Sequence, residues 1–215
     1  MNIPKKQRMP ISSKYPDVFT EIYNEDINIA IWQQNLSKSL LNSADALIAH
    51  KANFKAVMTV TPDESYFHLA ESLADFQHKD ELCQQVSLLV DMFCTLFELK
   101  RVGLRLMVLD RSMCPKFHVD KVPCRLVTTL AGIATQWLDH QVVDRDKLGA
   151  GSNGLPDEES GLFEQQSHIN QLSVGDVALL KGEGWFDNEG AGLVHRSPAL
   201  NSNDRRLLLT LDFID

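Results

Sequence analysis

The apolar residues of this 215-residue chain change their spacing near residue 101, and that change constrains the fold more than any other feature. Before it, Leu82, Val86, Leu89, Val90, Phe93, Leu96 and Phe97 recur at steps of three and four, which places them on one stripe of a helix over residues 80–100. A stripe that long must bury itself against a large apolar surface. After it, the runs are short, β-branched and apolar, and are separated by Gly, Pro and Asp, as strands are.

Two further helices are expected upstream. Residues 36–52 place Leu36, Leu40, Leu41, Leu47 and Ile48 at near-helical spacing, and Thr61-Pro62-Asp63-Glu64 reads as a helix start. There Thr61 caps, Pro62 fits the first helical position and Glu64 completes a capping box. Strands are expected over 102–109, 117–130 with an interruption at Pro123, around Trp137, and over 177–181, 193–195 and 206–213. No helical pattern of crossover length separates most of them, so the pairing should be antiparallel. The expected fold class is therefore α+β in a single domain, 1–215. Its mainly helical part, 1–100, packs on a β core, 101–215, that is either a barrel or a sandwich.

Residues 139–170 form a polar stretch with little periodicity, either a binding loop or lid, or a mobile surface insertion. Within it Gly149, Gly151 and Gly154 satisfy GxGxxG. The pattern follows Asp-Arg-Asp-Lys-Leu instead of a strand, and it leads into Asp157, Glu158 and Glu159, which would repel phosphate. A flexible loop is the better reading.

With 44% hydrophobic and 23% charged residues the chain is globular, and its 21 basic against 29 acidic residues give a net charge of −8. That balance argues against nonspecific attraction to nucleic acid or anionic lipid, and the basic start, Lys5, Lys6 and Arg8, is too short to reverse it. Cys83, Cys94, Cys114 and Cys124 show neither a CxxC pair nor a zinc-finger spacing, so they read as reduced and mostly buried. No apolar run approaches the roughly 18 residues of a membrane span, and no signal peptide is evident, which makes the cytoplasm the expected compartment.

Of seven histidines, two open a His-x-Asp pair, His78 with Asp80 and His118 with Asp120. About one His-x-acid is expected by chance from seven histidines and 29 acids, so context must separate them. Residues i and i+2 share one face of a strand but lie about 200° apart on a helix. His78 and Asp80 sit at a helix start, where Asp80 serves as an N-cap, whereas His118 and Asp120 sit in strand-like sequence and converge. Such a pair supplies two ligands of the 2-His-1-carboxylate triad that holds one face of Fe(II). His195, ending the run Gly192-Leu193-Val194, is the best third ligand; His140 and His168 are weaker, and His50 and His68 read as helix residues.

Downstream, a guanidinium at the head of the last strand suits the far carboxylate of a dicarboxylate whose near end chelates a metal. Alternation puts Arg205 with Leu207, Leu209, Leu211 and Phe213, and Arg206 with Leu208, Thr210 and Asp212. The second face is the more polar, which favours Arg206 without excluding Arg205.

His118-Val119-Asp120, His195 and Arg206-x-x-Leu209-Thr210, in this order, resemble the motifs of the iron(II)/2-oxoglutarate-dependent oxygenases over roughly the second half of the chain. The turn Val174-Gly175-Asp176 looks like the one before an inner strand of their double-stranded β-helix. More closely, MCPKFHVDKVP, GDVALLKGE, HRSPAL and RRLLLTLD are similar to the bacterial family numbered eighteen-twenty-six among domains of unknown function, along most of the chain. That family carries no established activity, and its members are associated with zinc homeostasis genes.

The resemblance implies N-terminal helices packed on a jelly-roll or cupin-like barrel. It further implies Fe(II) held by His118, Asp120 and His195, 2-oxoglutarate held by Arg206, and hydroxylation of a small molecule or a protein side chain. The alternative on the same residues is a non-catalytic zinc-binding protein of metal homeostasis, because His and Asp bind zinc equally well. A degenerate barrel serving as an interaction module is a third reading. The pattern departs from the oxygenases in one respect: Tyr15, Tyr23 and Tyr66 all precede the barrel, so no strand tyrosine is available for the cosubstrate. Trp185 and Phe186 are expected either in the substrate pocket or at the barrel edge. Lys116, Lys121, Arg125 and Arg196 would form a basic rim for an anionic substrate.

Overall fold

The computed structural model describes residues 7–214; Lys5 and Lys6 of the basic start lie outside them. Ten strands and three α-helices follow the chain in the order β1 (Met9–Ser13), β2 (Ile27–Trp32), α1 (Lys38–His50), β3 (Lys55–Val60), α2 (Pro62–Ser72), α3 (Lys79–Phe97), β4 (Val102–Leu109), β5 (Cys124–Ala131), β6 (Gln136–Leu138), β7 (Ile169–Gln171), β8 (Val177–Lys181), β9 (Val194–Arg196) and β10 (Arg206–Asp212). Seven strands form a large sheet in the order β1-β2-β8-β5-β10-β4-β3, and β7-β6-β9 form a small one. The architecture is mixed α+β, and every strand pair is antiparallel except β1 with β2. Among the described residues no helix is long and apolar enough to cross a membrane.

The three helices predicted from periodicity are present, and each packs on one face of the large sheet. Leu82, Val86, Leu89, Val90 and Phe93 of α3 are buried with Leu47 of α1 and Leu69 of α2 against Leu104, Leu126, Leu179, Leu207, Leu209 and Leu211. The opposite face contributes Ile29, Ile31, Val127, Ala178, Leu180 and Leu208 to a second core, with Trp137 of the small sheet and Ala134, Leu172 and Leu193 beside it. Strand alternation thus sorts the side chains into a helix side and an inner side between the sheets.

Four expectations are corrected. The first hundred residues also supply β1, β2 and β3 to the large sheet, so helices and sheet strands are interleaved along the chain. The strand expected over 117–130 is paired as a strand only from Cys124, with a single β-bridge at His118 before it. Thr61 donates to Glu64 Oε2 at 2.8 Å instead of capping the helix backbone, and Asp80 lies inside the first turn of α3, accepting from the Tyr66 hydroxyl at 3.0 Å.

The polar stretch 139–170 is a packed cover. Val143, Leu162 and Phe163 form a third apolar cluster with Phe117, Leu138 and Val194, and buried Asp157 accepts from the Phe117 amide at 2.8 Å. Gly149 and Gly151 belong to a short 3-10 turn. All four cysteines are free thiols, and Cys114 alone of them is exposed.

Candidate metal centre

Two pieces of backbone bring the first pair of candidate ligands together. His118 donates its amide to the His195 carbonyl at 3.0 Å, and His195 donates its own to His118 at 3.0 Å, which joins the segment after β4 to β9. The imidazole centroids lie 4.6 Å apart. Asp120, two residues on, turns the same way: Oδ2 is 3.4 Å from His195 Nε2, and Oδ1 is 3.9 Å from His118 Nε2. One ligating atom from each of His118, Asp120 and His195 lies within 4.8 Å of the others, a spacing that suits a common ion.

The far side of each ring sets its tautomer. His118 Nδ1 lies 2.9 Å from the Lys116 carbonyl and His195 Nδ1 lies 3.2 Å from the Leu193 carbonyl. A carbonyl only accepts, so each Nδ1 carries the proton and each Nε2 presents a lone pair toward Asp120. Burial pushes the His195 pKa down to about 4, against the opposing pull of Asp120, so this ring is neutral at pH 7. A neutral imidazole is the ligating form. The donor set therefore fits a divalent transition ion with open positions, and excludes neither iron nor zinc.

Asp120 is itself held. Arg125 Nη1 donates to its Oδ2 at 2.8 Å, and Arg125 Nε donates to Asp212 Oδ1 at 2.6 Å; Arg105 Nη1 reaches Asp212 Oδ2 at 3.2 Å. Arg125 and Asp212 face each other directly across β5 and β10. Sequence reasoning placed Arg125 on an exposed rim and gave Asp212 no role. Their alternation with Val127 and Leu208, both on the inner face, was the signal that places them.

Arg206 stands on the same face of β10 as Leu208, as alternation favoured, and is 1% exposed. Its Nη2 donates to Thr129 Oγ1 at 3.1 Å and Thr135 Oγ1 at 3.2 Å, while Nε and Nη1 are buried without an acceptor. Desolvation lowers its pKa to about 10. Thr135 also lines a narrow cavity of about 80 Å³ that includes His118, His195, Leu208 and Thr210, so the arginine is joined to the triad through that wall. Arg205, the rival, spends Nη1 on the carbonyls of Ser202 and Asp204. Gly132, at φ +85°, permits the approach of this strand: a Cβ there would sit 2.2 Å from the Arg205 carbonyl oxygen.

Other sequence candidates fall elsewhere. Lys121 pairs with Glu183, Arg196 with Asp157 and Glu158 at 3.1 and 2.9 Å, and Lys116 with the Leu155 carbonyl at 3.0 Å, so the expected basic rim is consumed by internal partners. Trp185 packs on the helix side against Tyr23 and Phe97, and Phe186 is 93% exposed. Tyr23 and Tyr66 donate to the Leu96 carbonyl and Asp80, away from the cavity.

Two solved structures share this architecture. The dioxygenase for auxin oxidation from rice superposes with a TM-score of 0.50 at 8% identity, covering 97% of this chain and 83% of that one. Dioxygenase for auxin oxidation 1 from Arabidopsis thaliana, in a binary complex with 2-oxoglutarate, gives 0.50 at 8% identity, covering 97% and 94%. At that identity the likeness is one of fold. No curated protein matches the chain. Residues 13–212 match the family described as "Protein of unknown function (DUF1826)".

Proposed function

Since the chain belongs to the DUF1826 family, whose description assigns no activity, we propose from the site itself that it is a mononuclear non-heme iron(II) oxygenase on a double-stranded β-helix, using 2-oxoglutarate and dioxygen. His118, Asp120 and His195 hold the ion and Arg206 holds the cosubstrate. The observation that carries the reading is the buried Arg206 guanidinium. Nε and Nη1 have no acceptor, and Thr135, which takes one of its remaining bonds, borders the cavity of the two histidines. A buried cation without a counterion is costly, and a carboxylate arriving in that cavity would relieve the cost. The fold shared with the auxin dioxygenases, one of them bound to 2-oxoglutarate, supports the same cosubstrate.

When bound, the iron would supply the redox chemistry that oxidises a substrate C–H bond while 2-oxoglutarate is decarboxylated to succinate. The chain's own residues do the rest. The Lys116 and Leu193 carbonyls fix the imidazole tautomers, and Arg125, braced by Asp212, fixes one carboxylate oxygen of Asp120. Thr129 and Thr135 aim Arg206, and Val127, Leu180 and Leu208 keep the cavity wall apolar, which strengthens its ion pairs. The proposed compartment is the cytoplasm.

Anaerobic addition of Fe(II) and 2-oxoglutarate should produce the visible charge-transfer absorption of the chelate, and both His118→Ala and Asp120→Asn should abolish it. Tight stoichiometric zinc with no such band would instead support the metal-supply reading, and metal content unchanged by His118→Ala would dismiss the triad altogether.

A further inference from the structure

Arg145 is left in the same condition as Arg206. Its Nη2 is anchored, donating to the Gly192 carbonyl at 2.6 Å and to His140 Nδ1 at 3.1 Å, while Nε and Nη1 are buried without an acceptor. Among the described residues it forms no ion pair. The one carboxylate that feels it, Glu183, is already engaged by Lys121, and Arg8 adds a second positive charge nearby. Arg145 lines an open pocket of about 430 Å³ together with His118, Lys121, Leu148, Gly149 and Glu183. His118 thus lines both the narrow cavity and this larger pocket.

We propose that this pocket receives the primary substrate, and that the substrate is a small organic anion whose carboxylate or phosphate group is taken by Arg145. The inference rests on the oxygenase reading for the role of His118, but the anion site stands on its own geometry. Size agrees, since pockets for small molecules run from roughly 300 to 1,000 Å³. Charge agrees as well: Lys121 and Glu183 pair with each other, which leaves Arg145 as the uncompensated charge among the lining groups, in a chain that is otherwise acidic. The cover formed by residues 139–170 supplies both the arginine and Leu148. The segment that shields the small sheet therefore also selects what reaches the ion. A substrate anchored there by its charged end would present its uncharged carbons toward His118.

Binding can be read with butyrate as the probe and butanol as its neutral counterpart, on nitrogen-15-labelled full-length chain with and without Zn(II). Butyrate, unlike butanol, should shift the Arg145 Nε–H and the amides of Leu148 and Gly149. Arg145→Gln should weaken butyrate about 10- to 150-fold, the loss expected for a charge-assisted contact, and leave 2-oxoglutarate affinity as it was. Leu148→Trp, which fills the pocket and leaves the guanidinium in place, should also exclude butyrate and decides the matter if Arg145→Gln fails to fold. The proposal is overturned if butyrate shifts nothing in this pocket, if it binds the foldable variants as well as the parent, or if Arg145→Gln weakens 2-oxoglutarate instead. Failure of the cosubstrate reading would look different: Arg206→Met would leave 2-oxoglutarate affinity intact whatever butyrate does.

Discussion

Replacing Arg206 with methionine should stabilise the ligand-free protein and abolish its response to 2-oxoglutarate. In the folded chain this guanidinium is 1% exposed and its pKa falls to about 10. Burial therefore costs the charged form roughly 3 kcal/mol, at 1.36 kcal/mol per pH unit. Methionine removes that cost and fills similar space. It also removes the Nη2 bonds to Thr129 and Thr135, each worth roughly 1 kcal/mol net. The balance leaves the variant ahead by roughly 1 kcal/mol without ligand. At a hundredfold excess over Kd, 2-oxoglutarate should stabilise the parent by about 2.7 kcal/mol, and it should do little for the variant. The order of stabilities consequently reverses on adding ligand. Urea unfolding followed by tryptophan fluorescence, with and without 2-oxoglutarate, reads both halves. A variant destabilised by several kcal/mol without ligand, or one stabilised by 2-oxoglutarate as much as the parent, would rule out this role for Arg206.

Lys181 offers a test by pH. It is buried on β8, its Nζ donates to the Asn24 carbonyl and lies over Trp185, and desolvation lowers its pKa from 10.5 to about 8. Below pH 8 the charged amine is held at a cost in the folded state. As pH rises from about 8 toward 10.5 the folded chain releases the proton before the unfolded chain does, so stability rises in that window. Urea unfolding should show the parent gaining on Lys181→Met between those pH values, and a constant difference would contradict it. Gly132→Ala places a Cβ 2.2 Å from the Arg205 carbonyl oxygen at a φ of +85°, and should cost at least roughly 1 to 3 kcal/mol. A urea midpoint shift equivalent to under roughly 0.5 kcal/mol would show that β10 yields freely at this point.

What could be read from the sequence depended on how much of each signal was local. The α3 stripe, strands β4 and β8, and the position of Arg206 on the face of Leu208 all rest on periodicity within one element, and the structure has them as periodicity indicated. His118 and Asp120 were legible through the same-face rule, although only His118 makes a strand-like bridge. β1, β2 and β3 were missed because Ile27–Trp32 is apolar at nearly every position and the other two are short and half-exposed, so neither helix nor strand period stands out. Arg125 was placed on a basic rim and Asp212 went unassigned because their pairing is a register between β5 and β10, set by the whole sheet. The cover over 139–170 looked structureless for a related reason. Its apolar residues are few, and besides the adjacent Leu138 they find their partners in Phe117 and Val194, well outside the segment.

The paired backbone hydrogen bonds between His118 and His195 have a consequence for how long an ion stays. Two ligands on independent loops can depart one at a time, each step opening the site to water and to competing metals. Here the main chains of the two candidate ligands are stitched together through their own amides and carbonyls, so the two backbones part only when the bridge opens as a unit. Exchange of an ion held there would then depend on a local opening, whose rate would be set by the packing of Phe117 and Val194 around the bridge as well as by bond strength to the metal. Such a centre would retain the first suitable ion it captured, and the metal supplied during folding would matter more than one offered later.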